Sequence, residues 1–206
     1  MLRFAIIGTG RISHTFMKAA LKVPGFKLEA VYSRSQDSGR AFGSVYGADK
    51  VYTTLKALGD DPEVDAVYIA SPNSSHCAQT VFMLEHGKHV LCEKPIASSA
   101  QELERMMKAA DGNGKILLEA MRPVFDPGFA KIKELLGQLG QIRRAVFQYC
   151  QYSSRYDAFK NGIIENAFNP ALSNAALMDI GVYCIHPMVL LFGKPRQVMA
   201  SGIFLP

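Results

Sequence analysis

A short apolar stretch that ends in two glycines, near the start of the chain, constrains the fold most. Residues 3–13 read Arg-Phe-Ala-Ile-Ile-Gly-Thr-Gly-Arg-Ile-Ser. An apolar run of this length before glycine is typical of a buried parallel strand that enters a tight turn and then a helix. Gly8 suits the turn, and Gly10 would let a phosphate group approach the positive end of the helix. The stretch predicts a dinucleotide-binding turn made by Gly8, Thr9, Gly10, Arg11 and Ile12, with a plain turn as the alternative.

Strand and helix patterns alternate after this turn. The predicted strands are Phe4–Ile7, Phe26–Tyr32, Lys50–Tyr52, Val64–Ala70, His89–Cys92 and Ile116–Glu119. The predicted helices are Ile12–Val23, Asp37–Tyr46, a short one capped by Thr53 or Thr54, His76–His86 capped by Ser74 or Ser75, and Ala100–Asp111 capped by Ser98 or Ser99. This rhythm predicts an α/β fold over residues 1–121, with a doubly wound parallel sheet and a ligand crevice at the carboxyl ends of its strands.

The rhythm stops near Arg122-Pro123. The later patterns predict a helix over Phe129–Leu139, a strand over Gln141–Tyr152, a long loop over Ser153–Asn174, a helix over Ala175–Phe192 and a strand from Arg196 to Phe204. Two strands and two helices cannot close a second sheet layer. We therefore expect residues 122–206 to be the first part of a second domain.

Composition narrows the partners and the compartment. The net charge is +5 and the basic residues are scattered, which suits a small anionic ligand and gives no nucleic-acid footprint. The four cysteines are far apart in sequence, so we expect free thiols in a reducing compartment and no metal site. No segment approaches the roughly 20 apolar residues of a membrane span, and no signal peptide is recognisable. We expect a cytoplasmic protein with no membrane partner.

The end of the second strand bears on the choice of dinucleotide. A fold that prefers NAD usually has a carboxylate there, whereas this chain has Tyr32-Ser33-Arg34-Ser35. Arg34 could bind a 2′-phosphate through charge-assisted hydrogen bonds. The sequence therefore favours NADP(H), with NAD possible, and a solvated surface arginine is the alternative reading of Arg34.

The ends of the fourth and fifth strands supply further polar residues. Ser71, Pro72, Asn73 and His76 follow the fourth strand, where the nicotinamide half of a dinucleotide would lie. A proline turn with a helix cap is the alternative, and both interpretations can hold together. Glu93-Lys94-Pro95 follows the fifth strand. A lysine there could polarise a carbonyl or move a proton, but the tripeptide alone is more often a surface turn.

A late helix carries Asp179, Tyr183 and His186 at spacings that share one face. An acid with a tyrosine or histidine could orient and protonate a substrate oxygen, and a core helix with a polar edge is the alternative. Glu119, Arg122 and the loop beginning at Arg155 are weaker candidates near the same crevice.

Taken together, these signals resemble one enzyme family. The residues are Gly8-Thr9-Gly10, Ser33-Arg34, Pro72-Asn73 with His76, Glu93-Lys94-Pro95, Glu119 and Asp179-x-Gly181-x-Tyr183. In this order they resemble the glucose–fructose oxidoreductase/inositol dehydrogenase (Gfo/Idh/MocA) family over nearly the whole chain. The resemblance implies a Rossmann domain followed by an α+β domain, whose largely antiparallel sheet binds substrate and often forms the interface of a dimer or tetramer.

The resemblance also implies roles for individual residues. Lys94 would be the catalytic lysine, and Asp179 and Tyr183 would handle substrate and proton. Ser71, Glu93, Glu119 and Arg122 would join the glycine turn and Ser33-Arg34 around the cofactor. The implied activity is hydride transfer between NADP(H) and a CH–OH or carbonyl group of a sugar, polyol or cyclic diol.

Two departures and two rival classes accompany this reading. Many family members have histidine where this chain has Tyr183, so the chain resembles the branch with dihydrodiol dehydrogenases. Asn174-Ala175 replaces a glycine pair before the late helix. The rivals are a non-catalytic dinucleotide sensor, against which Lys94, Asp179 and Tyr183 argue, and an oligomeric scaffold that binds no cofactor.

Overall fold

Six parallel strands between Leu2 and Glu119 form one sheet. The structure is a computed structural model that describes residues 1–203. The six strands lie in the order β3-β2-β1-β4-β5-β6, and every neighbouring pair is parallel. They are β1 (Leu2–Ile7), β2 (Phe26–Tyr32), β3 (Lys50–Tyr52), β4 (Ala66–Ile69), β5 (His89–Cys92) and β6 (Leu117–Glu119). The order reverses between β1 and β4, which confirms the predicted doubly wound α/β fold.

Helices connect the strands and cover both faces of the sheet. They are α1 (Arg11–Ala20), α2 (Gln36–Tyr46), α3 (Leu55–Gly59), α4 (Asn73–Glu85) and α5 (Ala100–Asn113). Thr54 and Ser99 cap α3 and α5 as predicted, because each side chain accepts a hydrogen bond from a backbone amide in the first turn. The predicted caps of α4 were wrong. Pro72 precedes that helix with φ −57° and ψ 144°, so its fixed φ turns the chain earlier and Ser74 and Ser75 lie in the first turn.

Alternating side chains of the strands fill two apolar layers. Ile6 and Tyr68 point to the face covered by α1 and α2, where Met17 and Phe42 are buried. The other face packs against α3, α4 and α5. The main members of this second layer are Ala5, Ile7, Leu58, Val67, Ile69, Met83, Leu84 and Val90. Burial of each large aliphatic side chain contributes about 1.5–3 kcal/mol. Both layers thus hold the strands in one fixed register.

Hydrogen bonds beyond the strand ends align the loops that follow them. The Gly8 amide donates to Tyr32 O at 3.2 Å, and the Ala70 amide donates to Ile7 O at 2.8 Å. The Glu93 amide in turn donates to Ile69 O at 2.9 Å. The residues after β1, β2, β4 and β5 therefore meet at one edge, where the crevice of a doubly wound sheet is expected.

The described residues after β6 form helices and extended segments but no strand. The helices are α6 (Pro127–Leu135), α7 (Tyr156–Lys160) and α8 (Val182–Phe192), with short 3₁₀ turns between them. A π-helical turn, Leu177–Gly181, leads directly into α8, so the predicted helix over 175–192 begins with a widened turn. The predicted loop over 153–174 contains α7 and two of the 3₁₀ turns.

The strand predicted over Gln141–Tyr152 is not formed within residues 1–203. The segment packs Ile142, Val146 and Phe147 beside α6 and α8, yet Val146 stays 61% exposed. Alternation of apolar residues indicates two faces, whereas a strand also requires a neighbour for its backbone hydrogen bonds. The last predicted strand is likewise not formed over 196–203, and Phe204 lies outside the described residues.

A bidentate ion pair ties the start of β1 to the residue before β4. The Arg3 guanidinium donates to both Asp65 carboxylate oxygens, from Nη2 at 2.7 Å and from Nε at 3.0 Å. Hydrogen bonds from Arg3 lower the pKa of Asp65 to about 2. Because the folded pKa lies below the unfolded value of 3.8, the stabilisation is present above pH 4 and is lost as pH falls toward 2.

We expect Asp65→Asn to lower the free energy of unfolding at pH 7 by about 1 kcal/mol, because the pair is partly exposed. The difference in unfolding free energy from the wild type should shrink at pH 3, where the stabilisation from the ionised Asp65 carboxylate begins to be lost. Urea unfolding at both pH values measures this, with the exposed Asp111→Asn as the matched control. An equal difference at pH 7 and pH 3 would contradict the assignment.

Candidate functional site

The two glycines of the turn after β1 differ in the space around them: Gly8 has no room for a side chain, whereas Gly10 does. Gly8 has φ +99°, and a Cβ there would lie 2.6 Å from Ala70 O. At Gly10, by contrast, a Cβ would meet no atom within 4 Å. Ser13 is fully buried and its hydroxyl donates to Gly8 O at 2.7 Å, so this small residue fastens the turn as well as fitting under the helix.

The start of α1 offers backbone amides to the crevice. Gly10 is the N-cap and has no side chain to accept hydrogen bonds from the first turn. Arg11 and Ile12 follow it and are exposed. Unpartnered amides at a helix N-terminus, together with the helix dipole, favour an anion. Thr9 lines the adjoining cavity.

The loop after β2 presents Arg34 to that cavity. The Ser33 hydroxyl is buried and accepts from the Ser35 amide at 3.3 Å, while Ser35 caps α2. Arg34 is exposed, and within residues 1–203 its side chain makes no hydrogen bond or ion pair. The cavity measures about 400 Å³ and is bounded by Gly8, Thr9, Ser33, Arg34, Ser71, Pro72 and Gln79, among others.

The turn after β4 is held to its surroundings by polar side chains. The Ser71 hydroxyl donates to Gln79 Oε1 at 2.6 Å, and Asn73 Nδ2 donates to Ser173 O at 3.0 Å. His76 is buried, with Nδ1 2.9 Å from Pro95 O and Nε2 3.0 Å from Ser71 O. Burial lowers the pKa of His76, so its ring stays neutral near pH 7 and donates to one of the two carbonyls.

Lys94 joins the loop after β5 to the late helix. Its ammonium donates to Asp179 O at 2.8 Å and to Asp179 Oδ1 at 3.0 Å. The same nitrogen lies 4.7 Å from the centroid of the Tyr183 ring. The Lys94 side chain is only 14% exposed, which strengthens the charge-assisted contacts. A lysine and an acid distant in sequence therefore share one partly buried site.

The π turn sets where Asp179 and Tyr183 project. Both residues face Lys94, as the predicted shared face of a helix requires, but the Asp179 carboxylate pairs with Lys94 and makes no hydrogen bond to Tyr183 within residues 1–203. Tyr183 stacks on Tyr149, with ring centroids 5.7 Å apart. The stacking and the ammonium fix the position of the phenol ring.

Two carboxylates flank this group. The Tyr68 hydroxyl donates to Glu93 Oε1 at 2.5 Å. Glu119 Oε1 accepts from the Ile96 amide at 3.0 Å, and its Oε2 lies 3.3 Å from His186 Nε2. Glu119 thus connects the loop that carries Lys94 to the helix that carries Tyr183.

Two adjoining cavities bring these residues together. The second measures about 460 Å³ and is bounded by Arg11, Ile12, Thr15, Ala70, Ser71, Asn73, His76, Glu93, Lys94, Arg122, Arg155, Asp179 and Tyr183. Ala70 and Ser71 bound both cavities, so the two meet at the end of β4, beside the point where the strand order reverses. The sequence motifs do not indicate Thr15 and Gln79, which bound these cavities, or Tyr68, which donates a hydrogen bond to Glu93.

No group of three or more His, Cys, Asp or Glu side chains in residues 1–203 is arranged to hold a metal ion. In the same range, every helix is too short or too polar to cross a bilayer.

Comparison with known proteins identifies the family. Residues 2–121 match the model of the Gfo/Idh/MocA family, described as an oxidoreductase family with an NAD-binding Rossmann fold. The chain belongs to this family. The Gfo/Idh/MocA resemblance that the motifs indicated is therefore confirmed.

Individual relatives extend the match beyond the Rossmann sheet. Over its whole length the chain is 50% identical to scyllo-inositol 2-dehydrogenase (NADP(+)) IolU of Bacillus subtilis, of which it covers 62%. It is 32% identical to trans-1,2-dihydrobenzene-1,2-diol dehydrogenase of Danio rerio, with 99% of this chain and 60% of that protein covered. The chain thus spans about three fifths of the length of these curated relatives.

A solved structure has a similar fold. The 3-ketoreductase KijD10 of Actinomadura kijaniata, in complex with NADP and TDP-benzene, aligns with a TM-score of 0.80 and 28% identity. The alignment covers 93% of this chain and 57% of KijD10.

The two glycines of the turn should respond differently to the same substitution. Gly10→Ala should leave the thermal midpoint of the apo protein unchanged, since its Cβ has open space, but weaken dinucleotide binding at least tenfold by filling the phosphate approach. Gly8→Ala should lower the midpoint by several degrees, because its Cβ meets Ala70 O at positive φ. Thermal melts and cofactor titrations measure both, and unchanged binding in Gly10→Ala would exclude a phosphate at this turn.

Proposed function

We propose that this Gfo/Idh/MocA family member is an NADP(H)-dependent oxidoreductase that acts on a CH–OH or carbonyl group of a sugar, polyol or cyclic diol. The main support is the contact of the Lys94 ammonium with Asp179 and Tyr183 at the carboxyl edge of the sheet. A lysine held there is placed to bind the oxygen at which such a reaction begins.

The residues of the crevice fit a dinucleotide. Gly10 leaves space beside the amides of Arg11 and Ile12, which would hold the pyrophosphate together with Gly8 and Thr9. Ser71, Pro72, Asn73, His76, Glu93 and Arg122 would bound its nicotinamide half. When bound, the cofactor supplies the hydride acceptor or donor. We leave Glu119 out of this contact set, because Ile96 and His186 already engage its two oxygens.

Arg34 supports a preference for NADP. Its guanidinium borders the cavity after β2 and has no other partner within residues 1–203, while no carboxylate ends β2. With Ser33, Arg34 would hold the 2′-phosphate. The name of the B. subtilis relative, which specifies NADP(+), agrees with this choice.

Lys94, Asp179 and Tyr183 would divide the work on the substrate. Lys94 would donate a hydrogen bond to the reacting oxygen and polarise it. The Asp179 carboxylate would hold the ammonium in position, and Tyr183 would supply or accept the proton. Asp179 would steer Tyr183 through the shared Lys94 ammonium, since the two side chains do not contact each other by a hydrogen bond in the described residues.

The second part of the protein would supply the remaining specificity. We propose residues 1–121 as the dinucleotide-binding domain and 122–206 as the first part of a largely antiparallel α+β domain. That domain would contact the substrate and join copies of the protein as a homodimer or tetramer. The segment 141–152, which packs beside α6 and α8 without strand partners in residues 1–203, is a candidate strand of its sheet. We also propose a cytoplasmic location.

Lys94→Ala in the full-length protein should lower kcat by a factor of about 10²–10⁴, because the proton-transfer and polarising group is lost. NADP(H) binding should change little, since the phosphate contacts remain. The matched control is Lys108→Ala, an exposed lysine on α5 away from the crevice. Turnover with NADPH or NADP measures the effect, and wild-type activity in Lys94→Ala would remove Lys94 from the mechanism.

Arg34→Ala should weaken NADP binding about 10- to 100-fold and leave NAD binding nearly unchanged, since hydrogen bonds to a charged group contribute about 1.5–3 kcal/mol. Dissociation constants for both dinucleotides measure the change, with the exposed Arg105→Ala on α5 as control. Equal losses for NADP and NAD would show that Arg34 does not read the 2′-phosphate.

A further inference from the structure

Tyr68 is a buried polar residue that the proposed reaction does not use. It lies on β4 among aliphatic residues and is 1% exposed. Its ring stacks on Phe16, with centroids 3.9 Å apart and an interplanar angle of 13°. The hydroxyl donates to Glu93 Oε1 at 2.5 Å. Its position on β4, the stacking on Phe16 and the hydrogen bond to Glu93 together fix the orientation of the Tyr68 hydroxyl.

The Glu93 carboxylate is fixed at both oxygens. Oε1 accepts from Tyr68, and Oε2 accepts from the backbone amide of Lys94 at 3.1 Å. The carboxylate borders the same cavity as the Lys94 ammonium, and the two residues are adjacent in sequence. Yet the ammonium pairs with Asp179, not with Glu93. Of these two carboxylates, Asp179 pairs with the ammonium, while the oxygens of Glu93 accept from the Tyr68 hydroxyl and the Lys94 amide.

We propose that Tyr68 is a positioning residue that holds Glu93 away from the Lys94 ammonium, so that Lys94 remains on Asp179 and available to the substrate. This inference rests on the proposed function for its kinetic consequence. Its structural content, the direction of the Glu93 carboxylate, stands independently of any reaction.

The hydroxyl of Tyr68 is suited to this role because it stays protonated. Burial, followed by the nearby Glu93 charge, raises the pKa of Tyr68 above its ordinary value of 10. The phenol therefore donates throughout the physiological pH range.

Removal of the hydroxyl would release Glu93. Oε1, which is half-buried, would then face an apolar ring and lose its donor, and an acceptor shielded from water without a partner is unfavourable. The ammonium of Lys94, which borders the same cavity, would then attract its charge. Once shared between Glu93 and Asp179, Lys94 would bind a substrate oxygen less well.

A pair of tyrosine-to-phenylalanine variants of the full-length protein tests this. Tyr68→Phe should lower kcat about tenfold and change the NADP(H) dissociation constant less than threefold. The matched control is Tyr52→Phe, which removes an equivalent tyrosine–carboxylate hydrogen bond, to Asp61 Oδ2 at 2.9 Å, outside the crevice. Tyr52→Phe should alter kcat less than twofold. Equal kinetic effects of the two variants would show that Tyr68 is merely structural and overturn the proposal.

A double-mutant cycle with Glu93→Gln tests whether Tyr68 affects kcat through the Glu93 carboxylate. Glutamine carries no charge with which to attract Lys94, so Tyr68→Phe should change kcat less than twofold in that background. Additive effects of the two substitutions would overturn the proposal.

A crystal structure of the full-length Tyr68→Phe variant separates this inference from the proposed function. We expect the Glu93 carboxylate to turn toward Lys94 Nζ, and an unmoved Glu93 would overturn the proposal. If the wild-type protein shows no turnover with any polyol, diol or sugar and Glu93 still turns, the proposed function fails while the positioning role stands.

Discussion

The contact between Lys94 and Asp179 links two regions that are 85 residues apart in sequence. Lys94 follows a strand whose direction and register are set by the parallel sheet, and Asp179 lies in a π-helical turn of the later region. Neither element alone makes a site. The Rossmann sheet supplies a rigid edge with open backbone amides, and the late helix places an acid and a phenol opposite the lysine. The proposed chemistry depends on this junction, which Asn73 and Glu119 reinforce through Ser173 and His186.

Charge is distributed unevenly along the two cavities. Arg34 and the start of α1 make one end receptive to phosphate groups. At the other end Glu93 and Asp179 lie beside Lys94, and each carboxylate has defined hydrogen-bond donors. The first environment suits an anionic group, and the second suits a group that accepts a hydrogen bond from Lys94.

The sequence predicts the Rossmann half of the molecule well because its signals are local. Strand β2 is bounded as expected at Phe26 and Tyr32, since aromatic and β-branched residues favour a strand and Pro24-Gly25 stands before it. The glycine turn is equally readable, because positive φ and a close approach to Ala70 O both demand glycine at position 8. In the candidate site, the motifs indicate Lys94, Asp179 and Tyr183, and the structure places the three side chains together.

Other features depend on contacts that no local pattern specifies. The segment 141–152 alternates like a strand but finds no strand partner in residues 1–203. The π-helical turn before α8 has five residues, which is too short to produce a recognisable period in the apolar residues of the sequence. The hydrogen bond from Tyr68 to Glu93 joins β4 to the loop after β5. Its sequence signal is a tyrosine within an aliphatic strand, where a buried hydroxyl needs a partner.

A crystal structure of the full-length protein with NADP tests the central claim most directly. We expect the pyrophosphate at the amides of Gly10, Arg11 and Ile12, the 2′-phosphate at Arg34, and the nicotinamide in the cavity that contains Lys94, Asp179 and Tyr183. A dinucleotide bound away from the glycine turn, or a nicotinamide outside the Lys94 cavity, would contradict this account.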